Sequence, residues 1–151
     1  MASVRDDLLD LFDRVWERHL DRMSGLTDEE LAWRPTADVR IGLEWRLEHV
    51  ADLLTDRRAW RWLGADPGHM PPQLEAADAA AALARGAQAY AGWRVLLGDL
   101  RDDDLAASVG PVAGTYAAMT GRSVVLHVAE ELVHHTAEAA LLRDLWAARS
   151  V

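Results

Sequence analysis

The chain contains no cysteine among its 151 residues, which excludes disulfides, thiolate nucleophiles and every cysteine-ligated zinc or iron–sulfur centre. Lysine is missing as well. All sixteen basic residues are arginine, so Schiff-base chemistry through a lysine amine is ruled out. No apolar run approaches the roughly 18 residues of a membrane span. The opening stretch Met1–Asp7 turns acidic before any signal-like apolar core could begin. Basic charge is in short supply overall, with 16 arginines against 25 acidic residues and a net charge of −9. That balance argues against nucleic acid or anionic lipid as a partner, since both require a basic face. These features predict a soluble, cytoplasmic chain folded as one domain over residues 1–151, with no nucleic-acid and no membrane partner. Half of the residues are hydrophobic, enough to bury a core. Any chemistry must come from His, Asp, Glu, Arg, Trp and Tyr.

Hydrophobic periodicity then predicts four long helices. Residues 4–23 place Leu9, Phe12, Trp16, Leu20 and Met23 at steps of three and four, the stripe of an amphipathic helix. Thr27-Asp28-Glu29-Glu30 reads as a capping box opening a short helical turn that closes near Pro35. A second helix is expected over 42–63, carrying Leu43, Leu47, Val50, Leu53 and Leu54, and a third over about 73–100. Gly86, Gly92 and Gly98 each cost that third helix about 1 kcal/mol of propensity. The segment Leu100–Ala106 echoes Leu26–Ala32, suggesting a second capped turn. The fourth helix is expected over 117–148. No segment alternates over strand length. The expected fold is all-α, a four-helix bundle whose sites are built from side chains on facing helices.

The last helix carries His127, Glu131, His134, His135 and Glu138 within twelve residues, and on an ideal helix these fall within an arc of roughly 100°. Glu131 and His135, four apart, can converge on one ion from successive turns. A third ligand must come from another helix. His49 is the leading candidate, because His19 lies near the end of the first helix and His69 in a Gly/Pro loop. Two imidazoles and a carboxylate with open positions suit zinc or another borderline divalent metal. The same stripe also suits a solvated helix face laced with pairs such as His127–Glu131 and His134–Glu138. Neither a His-Glu-x-x-His zinc-protease motif nor the paired Glu-x-x-His segments of a di-iron bundle is present.

Three stretches together, Gly25–Pro35, Trp45-Arg46-Leu47-Glu48-His49-Val50 and His127–Glu138 with Leu142-Arg143-Asp144-Leu145, resemble the DinB/YfiT-like superfamily. The resemblance spans nearly the whole chain and is most specific in the final helix. It implies a four-helix bundle holding a divalent metal, zinc or nickel, through a histidine of the second helix and two residues of the last. By motif position these are His49, Glu131 and His135. Many relatives carry histidine at the Glu131 position, whereas the mycothiol-dependent maleylpyruvate isomerase branch resembles this chain in having glutamate. That branch also carries a further domain not found in these 151 residues, so its substrate is not carried over.

The resemblance further implies a low-molecular-weight thiol, mycothiol-like, as cosubstrate beside an electrophile. The proton-handling or orienting groups of such a site would be His127, His134 and Glu138. A non-catalytic, dimeric and stress-associated module with a structural or vestigial metal is the second expectation, since the Leu, Phe and Trp of the first helix could supply a homodimer face, and a bare bundle with no metal is the third. Trp45, one turn before His49, could wall a substrate pocket. Arg46, Arg57, Arg58 and Arg61 are expected to pair with Glu48, Asp52 and Asp56, although arginine also captures anions well.

Overall fold

The computed structural model describes residues 3–149. Four long helices, α1 (Val4–Met23), α3 (Leu43–Leu54), α5 (Ala79–Asp99) and α7 (Gly121–Ala148), form the bundle, joined by the short helices α2 (Asp28–Ala32), α4 (Arg57–Trp62) and α6 (Asp102–Ala106). Each long helix packs on two neighbours in the cyclic order α1, α5, α3, α7. There is no β-strand among the described residues. No helix among them is long and apolar enough to cross a membrane.

Local chemistry explains most of the boundaries. Ser3 accepts the Asp6 N–H at the start of α1, and Thr120 accepts the Ser123 N–H at the start of α7, each satisfying a backbone donor that the helix leaves free. The predicted capping box is formed in both directions. Thr27 Oγ1 accepts the Glu30 N–H at 3.2 Å and the Glu30 carboxylate accepts the Thr27 N–H at 2.9 Å. The echo near residue 100 is structural too: the Asp104 carboxylate accepts the Arg101 N–H at 2.9 Å. Only half of the box closes there, because an arginine side chain cannot accept a hydrogen bond.

The structure corrects three of the helix expectations. The helix expected over 42–63 is two helices, broken at Thr55 and Asp56. Asp56 caps α4 by accepting the Arg58 N–H at 2.8 Å, and Trp60 Nε1 donates at 3.0 Å to the Leu54 carbonyl that the break releases. Helix α5 begins at Ala79 rather than near 73, where Asp78 accepts the Ala81 N–H at 2.8 Å. The segment before it runs back across the bundle, and a Cβ on Gly92 would lie 2.7 Å from Pro71 Cδ. Gly92 therefore permits a close approach and is more than a propensity cost. Finally, residues 111–116 form a 3-10 turn that delays α7 to Gly121.

The apolar interior lies in two layers. Phe12, Trp16, Leu54, Trp93, Leu97, Val125 and Leu132 fill the larger one, and Met23, Leu31, Leu43, Leu47, Ala82, Ala139 and Leu142 the smaller. On α7 the layers end at Leu132 and resume at Ala139, and between them sit the buried polar residues His135 and Thr136. On α3, His49 occupies the corresponding interval between Leu47 and Val50. The polar groups of interest are thus held at the seam of two packed layers.

Candidate metal centre

Helix α3 uses Leu43, Leu47, Val50, Ala51 and Leu54 to pack inward, which leaves Trp45, Arg46 and His49 along its half-buried edge. That edge faces α7. Arg46 meets Glu138, His49 meets His135, and Leu53 shares a cavity wall with His127 and Val128. Numbers rise on one helix as they fall on the other, so the two run antiparallel.

One donor atom from each of His49, Glu131 and His135 lies within 4.8 Å of the other two. Glu131 Oε2 is 3.3 Å from His135 Nε2. Two donors about 2.1 Å from a tetrahedral zinc stand about 3.4 Å apart, so this pair already has the spacing of adjacent ligands. The His49 and His135 rings meet edge to face with centroids 4.5 Å apart, and Trp45 stacks on His49 at 4.6 Å and 18°. His135 is deeply buried, its side chain 9% exposed, while the Glu131 side chain is 34% exposed. The cluster is therefore closed by protein on one side and open on the other. Three borderline donors with an open side fit a divalent ion that keeps a vacant position. Burial, with the neighbouring His135 adding to it, pushes the His49 imidazole below its ordinary range against the opposing pull of Asp52 and Glu131. A neutral ring is the form that ligates metal.

The other nitrogen of His135 is also engaged. Its Nδ1 lies 2.9 Å from Glu138 Oε2, and a carboxylate can only accept, so the tautomer protonated at Nδ1 donates to Glu138 and presents its Nε2 lone pair to an ion held between His135 and Glu131. Glu138 is held in turn by Arg46, whose Nε lies 3.1 Å from the same oxygen, and by His134, whose Nε2 is 3.2 Å from Oε1. Arg46 is only 14% exposed and stacks over Trp45 at 4.8 Å. His134, His135 and Glu138 also gather three donor atoms within 4.8 Å. There, however, a permanent guanidinium already stands against the carboxylate, and its Nη1 lies 3.4 Å from His135 Nδ1. A second cation is disfavoured at that position.

Not every residue of the predicted stripe joins the cluster. His127 is 63% exposed and lies 3.9 Å from Glu130, so the expected His127–Glu131 pair is not the one formed, because Glu131 turns to His135. The His134–Glu138 pair is made. His19 is buried on α1 and His69 belongs to the Pro67–His69 turn. The expected arginine pairings are redistributed. Arg58 does pair with Asp56, but Glu48 and Asp52 both pair with Arg85 of α5, and Arg46 crosses to Glu138. Sequence reasoning missed the Arg46 role because its partner lies 92 positions away, a separation that no helical spacing reports.

The DinB superfamily model matches residues 11–139 of this fold. The chain belongs to the DinB superfamily. Its architecture is similar to the crystal structure of a conserved protein from Enterococcus faecalis, with a TM-score of 0.74 over 96% of this chain and 98% of that one, at 16% sequence identity. At that identity the likeness shows the shared fold alone. No curated protein matches the chain.

Proposed function

We propose that this DinB protein is a divalent-metal-dependent enzyme in which His49, Glu131 and His135 hold the ion and a low-molecular-weight thiol is activated for transfer to an electrophile. The observation that carries the reading is the convergence of two imidazoles and one carboxylate from two helices, closed behind His135 and open beside Glu131. Zinc or nickel suits that donor set. When bound, the ion would supply the positive charge that favours a thiolate over a thiol. The chain has no cysteine of its own, so the sulfur comes from a cosubstrate, as in a reducing cytoplasm. The S–H bond breaks as its proton passes to a base, the new bond joins that sulfur to the electrophilic carbon, and the electron pair displaced from carbon departs with the electrophile's own leaving group, which takes up a proton.

The protein's own part is positional. Glu138 accepts from His135 Nδ1 and so fixes the ring with Nε2 toward the open side. Arg46 and Trp45 hold Glu138 and His49 in place. His134, exposed and 3.2 Å from Glu138, would pass a thiol proton to solvent, with His127, one turn before Glu131, as a secondary carrier.

Metal content measured on tag-free protein beside Glu131→Ala and His135→Ala tests the ligand set. Bound metal should fall sharply in both variants, and equal metal in all three proteins would overturn it. Thiol consumption against a panel of electrophiles, with and without a chelator, tests the chemistry. Turnover that survives complete metal removal sinks the activation step, and metal binding without any turnover identifies a non-catalytic metal-binding module instead.

A further inference from the structure

A cavity of about 380 Å³ lies between α4, the 111–119 segment and α7, walled by Leu53, Ala59, Trp62, Tyr116, Met119 and Val128. Its size falls within the roughly 300–1,000 Å³ of small-molecule sites. The Trp62 and Tyr116 rings stand 5.6 Å apart on one side of it. Of the charged groups at its edge, Asp56 and Arg58 already satisfy each other. Asp56 receives the Arg58 backbone N–H at 2.8 Å and the Arg58 guanidinium at 3.0 and 3.3 Å, and His127 faces Glu130. Nothing in the wall calls for a charged ligand.

Position ties this cavity to the metal cluster. Leu53 follows His49 by four residues on α3, and His127 precedes Glu131 by four on α7. Each step is one helical turn, about 6 Å along the axis. The cavity wall and the cluster are therefore neighbours along α3 and α7, offset by about one helical turn on each.

We infer that this cavity holds the uncharged aromatic body of the electrophilic substrate, whose reactive head reaches the His49–Glu131–His135 cluster. The thiol is left to the polar, open side beside Glu131. This assignment deepens the proposed function and rests on it for the head group alone, because the aromatic body is bound by apolar contacts that need no metal.

Two arms keep the readings apart. In the first, metal-free protein is titrated with 2-naphthol by calorimetry, beside Met119→Trp, which fills the cavity, and Tyr116→Ala, which removes an exposed wall. One equivalent should bind, with affinity falling about tenfold or more when the cavity is filled and several-fold when the wall is removed, as expected for loss of an aromatic contact. In the second arm, zinc-loaded protein is titrated with benzohydroxamate and acetohydroxamate, which share a metal-binding head. The aromatic member should bind about tenfold more tightly in the native protein, and the ratio should approach one in Met119→Trp while acetohydroxamate affinity stays constant. Naphthol that does not bind, or binds all three proteins alike, overturns the cavity assignment, as does an unchanged hydroxamate ratio. Saturable naphthol binding with the expected variant pattern, but no acetohydroxamate binding, upholds the cavity and counts against the metal reading alone.

Discussion

His135 and Glu138 are joined one turn apart on α7, with Nδ1 2.9 Å from Oε2, and this contact leaves the second ring nitrogen of His135 aimed at Glu131 3.3 Å away. Replacing Glu138 by glutamine keeps an acceptor but removes the charge that stabilises the oriented ring and pairs with Arg46. Zinc affinity, measured by competition with a chromophoric chelator, should fall about tenfold or more. The far-ultraviolet circular dichroism should not change. An unaltered affinity would show that the carboxylate plays no part in presenting Nε2.

Arg143 ties three elements at the far end of the bundle. Its guanidinium donates to Glu30 at 3.0 and 3.1 Å and to the carbonyls of Arg22 and Ser24 at 2.8 Å each. Burial acts to raise Glu30, yet the Thr27 N–H and Arg143 outweigh it and hold the carboxyl below its usual range. Arg143→Met strands a buried carboxylate and should cost about 3 kcal/mol in urea unfolding. Glu30→Gln in the same background should recover part of that loss.

His19 is buried with its Nδ1 lacking a partner, and burial pushes its pKa down from 6.5 to about 4. Arg18 and Arg22 flank the same cavity, whose described lining includes no carboxylate to favour the imidazolium. The unfolded chain binds this proton more readily than the folded one between those values, so stability must fall as pH drops from about 6.5 toward 4. The full difference corresponds to about 3 kcal/mol. Denaturant unfolding at pH 7 and pH 4.5 should show a drop that is smaller in His19→Leu.

Two glycines of α5 separate propensity from packing. A Cβ on Gly98 meets nothing within 4 Å, whereas one on Gly92 meets Pro71 at 2.7 Å. Gly98→Ala should raise stability by up to about 1 kcal/mol. Gly92→Ala should lower it by about 1–3 kcal/mol as the 71–78 segment is pushed off the helix. Thermal melts of the two variants should therefore move in opposite directions.

Residues close in the chain were legible from spacing because helix geometry is local. Four residues bring a side chain back to the same face, which is why Glu131 with His135, His134 with Glu138, and the Thr27–Glu30 box could all be read from the sequence. The all-helical class followed from the same periodicity, and the absence of cysteine determined that any thiol chemistry must borrow its sulfur. The break at Thr55 was harder to see. Apolar residues keep helical spacing through it, and what favours the break is the Asp56 cap together with a Trp60 indole that reaches back to Leu54.

Only the tertiary structure decided which rods face each other and at what height. His49 reaches His135, Arg46 turns from its helical neighbours to Glu138, Arg85 takes Glu48 and Asp52, and the 3-10 turn before α7 closes a cavity beside the cluster. These contacts depend on the rotation and axial offset that two apolar layers impose when they pack. No interval along a single helix encodes that offset, because it is a property of the interface between helices.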